Sequence, residues 1–501
     1  MKKRAYISVF DKTGVVDLAK RLTASGWEIV STGNTCALLN ENGIEAVESA
    51  TITGFSELLG GKVKSLHPKI FAGILANEQE TKTLDFPPFS LVVVNLYPFE
   101  NYRGKNADLE TLLKNIDIGG VSLLRAGAKN FENVAVVCDV ADYGLDFDNL
   151  QRHERESLAL KVFQTTSGYD FLIFDELSKN FGAHPGLSNI ESLRLTKLKD
   201  LRYGENPHQS AALYKEASND ILDYEFLNGK EFSYNNIADA TAALDVASEF
   251  YDVCACAIIK HANPCGVALG ATLLESWEKA LDCDPLSAFG GIVAFTREVD
   301  ETLAKRLAAM FLEVIIAPSY TDGAVEILKT KKNLRVVKLN TELSHYKRFV
   351  AREVRLTPFG GLIQQKDVQE LNCADFKVVT KQKPTQEQVE DMIFAFKVAK
   401  HVRSNAIVVA RDLKTLGICG GQTSRVGAVE IALSRVCDST RDAVLASDGF
   451  FPATDNIEIA ASNRIAAIIQ PGGSIKDEDV IKLADKHSLV MINTGIRHFK
   501  H

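Results

Sequence analysis

Short, wholly apolar runs alternate with segments whose apolar residues recur every three or four positions. No other feature of the sequence constrains the fold more. Residues 6–10 read as a buried strand, Asp11 to Gly14 turn the chain, and Val15, Leu18, Ala19 and Leu22 then share one helical face before Gly26. Residues 27–30 read as a second strand. Ser31, Thr32, Gly33, Asn34 and Thr35 follow as a polar loop that opens a short helix ending near Gly43. Residues 92–96 and 134–138 read as further strands, and helical periodicity continues to about Asn180. Strand–helix alternation predicts a parallel sheet with right-handed crossovers, whose ligand crevice lies at the carboxyl ends of the strands. A polar loop between such a strand and a helix offers unpaired N–H groups to a phosphate, although many loops of this kind bind nothing.

A second alternation begins further on. Ala240, Ala243, Leu244 and Ala247 share a helical face, residues 254–259 form a buried strand that ends in Lys260 and His261, and residues 291–295 form another. Thr385 and Gln388 have the spacing of a capping box ahead of Val389, Met392, Ile393 and Phe396, and residues 406–410 are again a strand. The same strand–turn–helix pattern near Cys254 and near Ala406 suggests an internal duplication without matching residues. Between the two halves, the run Gly182-Ala183-His184-Pro185-Gly186 is the candidate linker, which gives domains 1–192 and 193–501. With 501 residues, more than one core is expected.

Bulk properties exclude several classes. A net charge of −8 argues against general nucleic-acid binding, and no run approaches the roughly eighteen apolar residues of a membrane span. The apolar stretch after Lys2 to Arg4 stops at Asp11, too soon for a secretory leader. Nine scattered cysteines with no C-x-x-C read as reduced thiols, as in a cytoplasmic protein.

Several constellations carry candidate chemistry. In Gly60-Gly61-Lys62-Val63-Lys64-Ser65-Leu66-His67-Pro68, Lys64 is a candidate point charge on an anion, against the alternative of a solvated basic loop. Asn95-Leu96-Tyr97-Pro98-Phe99 follows a buried strand and sets Tyr97 either to donate to a reacting oxygen or to pack. Asp117 and Lys129 are an acid and a base expected to flank one helix. Leu201-Arg202-Tyr203-Gly204-Glu205-Asn206-Pro207-His208-Gln209 is rich in donors, acceptors and turn formers. Lys260-His261-Ala262-Asn263-Pro264-Cys265-Gly266 closes a strand, where Lys260 and His261 start on opposite faces unless the chain bends; Asn263-Pro264 and Gly266 are the expected bend. A zinc nucleobase deaminase shows His-x-Glu and Pro-Cys-x-x-Cys. Here Asn263 replaces the glutamate and Ala268 the second cysteine, so that class is disfavoured. The last third adds five glycine-rich or aromatic turns, among them Ser447-Asp448-Gly449-Phe450-Phe451-Pro452 and Thr494-Gly495-Ile496-Arg497-His498-Phe499, which suit a cleft that stacks a flat ligand.

Taken in order, KHANPCG, LRYGENPHQ, NLYPF, IDIGG, DGFFP and QPGGS resemble the bifunctional AICAR transformylase/IMP cyclohydrolase family of purine biosynthesis, from Ser8 to His501. The resemblance implies an α/β fold: an N-terminal parallel-sheet cyclohydrolase domain resembling methylglyoxal synthase, and a transformylase of two cytidine-deaminase-like units. It implies formyl transfer from 10-formyltetrahydrofolate, as co-substrate, to AICAR, then dehydrative closure of FAICAR to IMP. It further implies a homodimer with transformylase sites at the subunit interface, no catalytic metal, and no nucleic-acid or membrane partner. For ring closure it points to Lys64, Tyr97, Asp117 and Lys129, with Asp11, Lys12, Ser31, Thr32, Gly33, Asn34, Thr35 and Asn95 around the nucleotide. For formyl transfer it points to His261 as general base, Lys260 as positive charge or proton donor, and Asn405 on the formyl group. Arg202, Tyr203, Gly290, Glu313, Arg425, Phe450, Asp455 and Arg497 are the implied ribotide and folate contacts. Phe10, Asn34, Cys36, Phe71, Ala453 and Thr454 depart from the family pattern, which touches nucleotide-loop contacts and folate affinity rather than the reaction.

Overall fold

The computed structural model describes residues 3–501 apart from 61, 104–106, 183–190, 217–220, 348, 350–351 and 438. The chain divides into two compact units, Met1–Arg194 and Leu195–His501. Most of the linker run read from sequence, residues 183–190, lies outside the described residues.

In the first unit the strands Ala46–Glu48, Glu28–Ser31, Arg4–Val9, Leu91–Asn95 and Ala135–Val137 lie side by side in that order, all parallel. Ile7 stands opposite Ser31 and Val9 opposite Asn95, so Ser31 and Asn95, the polar ends of the two strands beside Arg4–Val9, share one edge. Successive side chains of a strand face opposite ways. Ala5, Ile7 and Val9 therefore pack with Leu18 and Trp27, while Tyr6, Val92 and Val94 pack with Ile70, Leu123 and Leu124. Both faces are buried, which is why these strands read as unbroken apolar runs. Ala46–Glu48 has three residues and no periodicity to betray it.

The second unit is built on one sheet of twelve strands. Their spatial order is Lys377–Val378, Val490–Asn493, Ala467–Gln470, Val444–Ser447, Ile407–Arg411, Lys414–Cys419, Asn263–Leu269, Ala255–Lys260, Ile292–Phe295, Val314–Ala317, Arg335–Leu339 and Tyr224–Asn228. The first six and the last six repeat one plan: a central antiparallel hairpin, three strands of parallel run outward, and a short antiparallel edge strand. The duplication suggested by the pattern is thus present in the topology. Helices Tyr234–Ala247 and Gln386–Ala399, with the short helix Leu343–Tyr346, cover one face with a common core, and the longer helices of each half that remain cover the other. Close packing is repeated too. A Cβ on Gly266 meets the Ala280 carbonyl oxygen at 2.0 Å, and one on Gly417 meets that of Ala432 at 2.2 Å. Only glycine lets each strand approach its helix so closely.

One local expectation is corrected. Asn263-Pro264-Cys265-Gly266 is not the bend but the start of the next strand, Asn263–Leu269, with an irregularity between Pro264 and Gly266. The chain reverses one step earlier, at His261 and Ala262, whose φ values are 52° and 57°. Strands Asn263–Leu269 and Lys414–Cys419 pair antiparallel, with Ala268 opposite Lys414. The His261 turn therefore shares an edge with the carboxyl end of Lys414–Cys419, where Asn405 and Arg425 lie, and the Asp412–Leu413 turn falls on the opposite edge.

Candidate functional sites

In the first unit the site grows from the carboxyl edge of the sheet. Asn95 Oδ1 accepts the N–H groups of Phe10 (2.6 Å) and Asp11 (3.0 Å), and its amide donates to the Asp11 carbonyl (2.9 Å), so one side chain fixes the Asp11–Lys12 loop. Ser31 and Thr35 hydroxyls donate to the carbonyls of Ile7 and Val9 and tie the second loop to the central strand. The Thr32 hydroxyl is engaged with Ser8 at 3.0 Å and does not cap helix Gly33–Glu41. The Gly33 N–H is instead donated to the Glu48 carboxylate at 3.2 Å, so an anion already stands at this helix N-terminus. Burial and Glu48 push the Cys36 thiol up to about 11.

Two ammonium groups face the same place. Lys64 Nζ lies 3.4 Å from where a Cβ on Gly33 would sit. Burial and the nearby Lys64 charge hold Lys12 below its ordinary value, against the pull of Asp11. The Lys64–Ser65 segment in turn abuts the start of helix Gly119–Lys129, where a Cβ on Gly119 would lie 2.8 Å from Ser65 Oγ. Asp117 precedes that helix, accepting the Gly120 N–H at 2.7 Å while its own N–H donates to the Tyr169 hydroxyl at 2.8 Å. Burial lifts Asp117 above its ordinary 3.8 against hydrogen bonds from the Gly120 and Tyr97 backbones. Burial, then the Asp117 charge, raises Tyr97, whose exposed ring meets Phe10 edge-on at 5.2 Å. Lys12, Lys64, Tyr97 and Asp117 are thus linked through neighbouring contacts around one strand edge.

Lys129 is not brought to them. It ends the helix that Asp117 precedes and is exposed, roughly 15 Å along the axis from Gly119. Acid and base do flank one helix, and the length of that helix separates them. Asn34 is exposed in the first turn of its helix, and Phe71 packs against the core, so this departure from the family pattern is a packing residue.

In the second unit the Lys260 ammonium donates to the carbonyls of Phe289 (3.1 Å) and Gly290 (2.8 Å). Gly290 has φ 68°, and a Cβ there would lie 3.0 Å from Lys260 Nζ. Glycine is required for the backbone to curl around the ammonium. Glu313, just before strand Val314–Ala317, accepts from Asn236 Nδ2 at 2.8 Å, and the Asn235 amide reaches the Glu205 carbonyl at 3.3 Å, which draws the Arg202–Tyr203 loop towards the same helix start. Arg202 lies over the Tyr203 ring at 5.7 Å.

Across the sheet centre, Arg425 organises the other half. Its Nη1 donates to Ser447 Oγ (2.7 Å) and Asp448 Oδ1 (2.5 Å), and Nη2 donates to Asn405 Oδ1 (2.6 Å). Asp448 is fully buried and Arg425 nearly so, a pairing that removes the cost of an isolated interior charge. Asn405 is also held by its amide on the Gln422 carbonyl at 2.8 Å. Beside this network is a cavity of about 370 Å³ lined by Asn405, Arg425, Phe450, Asp455, Asn456 and Phe499. Phe499 lies beneath two guanidinium groups, Arg497 at 4.3 Å and Arg425 at 6.0 Å from its centroid. The two halves touch where Asn263 Oδ1 accepts the Arg403 N–H at 3.4 Å.

Glu48, Asn236 and Asp448 act on these sites without having been singled out as site residues. Asn236 was legible only as the third helical residue of a capping box begun by Ser233, and Asp448 as the acid of the Ser447-Asp448-Gly449 turn.

The sequence matches an AICARFT/IMPCHase bienzyme family over residues 127–435 and an MGS-like domain over 14–122. It is 47% identical to a bifunctional purine biosynthesis protein PurH of Caldicellulosiruptor saccharolyticus and 45% identical to one of Acetivibrio thermocellus, each alignment covering 100% of both chains.

Proposed function

The chain belongs to the AICARFT/IMPCHase bienzyme family, and on that premise we propose how its residues divide the chemistry. It is a bifunctional enzyme that catalyses the last two steps of IMP synthesis, AICAR formylation and FAICAR cyclisation. The formyl donor is a reduced folate, proposed as 10-formyltetrahydrofolate. The observation that carries the division is the separation of two polar centres into two compact units, each at one edge of its own sheet.

In the first unit Lys12, Lys64 and the loop Ser31 to Thr35, with Asp11 and Asn95 behind it, hold the ribotide phosphate. The carboxamide nitrogen attacks the formyl carbon and a C–N bond forms. The formyl oxygen takes up negative charge, is protonated to a hydroxyl, and leaves with a second proton as water when the C–O bond breaks, the formamide N–H is lost and the ring C=N bond forms. Lys64 and the Tyr97 hydroxyl stabilise that oxygen, because fixed donors cost no reorganisation as charge develops. Asp117 takes the amide proton. Lys129 is left out of this scheme because it lies at the far end of its helix.

In the second unit the AICAR amine attacks the folate formyl carbon, His261 accepts the amine proton, and Lys260 supplies the proton that the folate nitrogen needs as its C–N bond breaks. Asn405, fixed by Arg425 and Gln422, holds the formyl oxygen. Arg202, Tyr203, Gly290, Glu313 and Arg425 surround the ribotide, and Phe450, Asp455, Arg497 and Phe499 form a stacking wall for the folate ring.

The Asp117 assignment has a pH signature. Its folded value is raised, so the folded chain binds this proton more tightly than the unfolded chain does. Ionised Asp117 therefore opposes folding at neutral pH, and that cost is relieved as the pH falls through the raised value. As a base, Asp117 predicts that the cyclisation rate falls on the acid side with a midpoint above 3.8. The check is kcat against pH on preformed FAICAR; an Asp117→Asn variant that keeps the parent rate and profile contradicts the assignment.

A cytoplasmic homodimer is also proposed. All nine cysteines are free, in keeping with a reducing compartment, and among the described residues no helix is long and apolar enough to cross a membrane. The hairpin of strands Arg352–Thr357 and Gly360–Gln365 exposes Leu356, Phe359 and Leu362, an apolar patch that a second copy would cover. Sedimentation should give a dimer that Phe359→Asp with Leu362→Asp shifts towards monomer; an unaltered dimer in that variant removes the hairpin from the interface.

A further inference from the structure

The turn that presents His261 is held from outside, and the fold contains a second copy of the same device. His261 and Ala262 join strands Ala255–Lys260 and Asn263–Leu269 as a two-residue loop, both in the left-handed region at φ 52° and 57°. Hairpin loops of this kind favour asparagine, aspartate and glycine, and a histidine–alanine pair does not choose that backbone by itself. The Ala262 N–H donates to Asp239 Oδ1 at 2.7 Å. Asp239 is the sixth residue of helix Tyr234–Ala247, which begins with a capping box at Ser233.

In the other half, Asp412 and Leu413 form the equivalent loop, both at φ 54°. Their N–H groups donate to Asp391, at 3.0 Å and 2.7 Å. Asp391 is the sixth residue of helix Gln386–Ala399, which begins with a capping box at Thr385. Arg411 and Asp412 stand where Lys260 and His261 stand in the first half, on the sheet edge away from Asn405 and Arg425. A carboxylate on the central helix that pins a left-handed hairpin turn is therefore a property of the duplicated plan. At one copy alone does that turn carry residues assigned to chemistry.

We propose that Asp239 is a positioning residue for formyl transfer: by holding the Ala262 N–H it fixes the backbone on which the His261 imidazole is mounted. The turn is tied down on its other side as well, since the Asn263 amide donates to the His261 carbonyl at 3.0 Å and Asn263 Oδ1 accepts from Arg403, two residues before Asn405. Asp239 sets the turn from the helix side, and Asn263 sets it from the side of the formyl-holding loop. The proposal rests on the reading of His261 as the base in formyl transfer.

The duplicate supplies the control. The full chain is prepared with Asp239→Ala, Asp239→Asn, Asp391→Ala and His261→Ala, and formyl transfer is assayed with AICAR and 10-formyltetrahydrofolate beside cyclisation of preformed FAICAR. Misplacing a reacting group by about an ångström costs on the order of a hundredfold, so Asp239→Ala should lose about that factor in formyl-transfer kcat. Its KM for AICAR should stay close to the parent's, and cyclisation should be untouched. Asp239→Asn keeps an oxygen that accepts the Ala262 N–H and should recover most of the rate. Asp391→Ala should lower the melting temperature yet leave kcat within about twofold of the parent. Should Asp239→Ala not fold, Asp239→Ser, too short to span the gap, carries the same expected loss. The proposal is overturned if Asp239→Ala keeps the parent kcat, if Asp391→Ala loses as much, or if Asp239→Asn is no better than alanine. A His261→Ala variant that still transfers formyl groups overturns the reading beneath it instead.

Discussion

His261→Ala should reduce formyl transfer by about 10²- to 10⁴-fold, the range that positioned proton transfer contributes, and leave cyclisation of preformed FAICAR within about twofold of the parent. The AICAR amine is a weak nucleophile because the neighbouring carboxamide withdraws its electrons, and attack on the formyl carbon must be accompanied by loss of a proton. His261 is exposed on its turn, where an imidazole can accept that proton from a bound amine. No hydrogen bond in the Asn405–Arg425–Asp448 network passes through its side chain. Truncation should therefore cost little stability, as is usual for exposed positions, and the loss should be chemical. Initial rates of tetrahydrofolate release, with a melting curve on the same sample, separate these effects. Parent-like release by folded His261→Ala would remove it as the base.

Lys64→Ala should reverse the pattern, slowing cyclisation by about 10²- to 10³-fold, the magnitude seen when one oxyanion donor is removed, while formyl transfer persists. The amide nitrogen is a poorer nucleophile than an amine, so ring closure depends strongly on a fixed positive charge where the formyl oxygen gains negative charge. Lys64 lies beside Gly33, and its charge, after burial, helps to hold Lys12 below its ordinary value, so the two ammonium groups act on the same loop. Removing one ammonium should relax Lys12 upwards and weaken phosphate binding as well, so KM should rise as kcat falls. An unchanged KM with lowered kcat would place Lys64 at the oxyanion alone; an unchanged kcat would deny it that role.

Much of this was legible in the sequence, for definite physical reasons. Strands buried on both faces, whether parallel like Leu91–Asn95 or antiparallel like Ala255–Lys260, stand out as apolar runs. Helix Gln386–Ala399 announces itself by the Thr385 and Gln388 cap. Local pattern could not give the order of twelve strands, because the pairing of Asn263–Leu269 with Lys414–Cys419 joins segments far apart in the chain. Nor could it place the bend at His261. Proline and glycine are the usual marks of a turn, and here Pro264 and Gly266 lie inside a strand, with the glycine serving close packing against Ala280. The positioning residues were the least visible. Asp239, Asn236 and Asp448 act by holding another group, and nothing in their own neighbourhoods distinguishes them from a helix carboxylate, a cap or a turn acid. Lys129, grouped with Asp117 by the resemblance, ends the helix that Asp117 precedes, and sequence order alone does not display that separation.

The central claim is that the two reactions occupy separate centres in separate units. Its most direct test is a paired progress curve for the Lys64→Ala enzyme, started with AICAR and 10-formyltetrahydrofolate and following tetrahydrofolate release and IMP formation as distinct signals. The account predicts tetrahydrofolate release at the parent rate while FAICAR accumulates and IMP lags. Tetrahydrofolate and IMP falling together, in a protein that melts like the parent, would mean one shared centre and would contradict it.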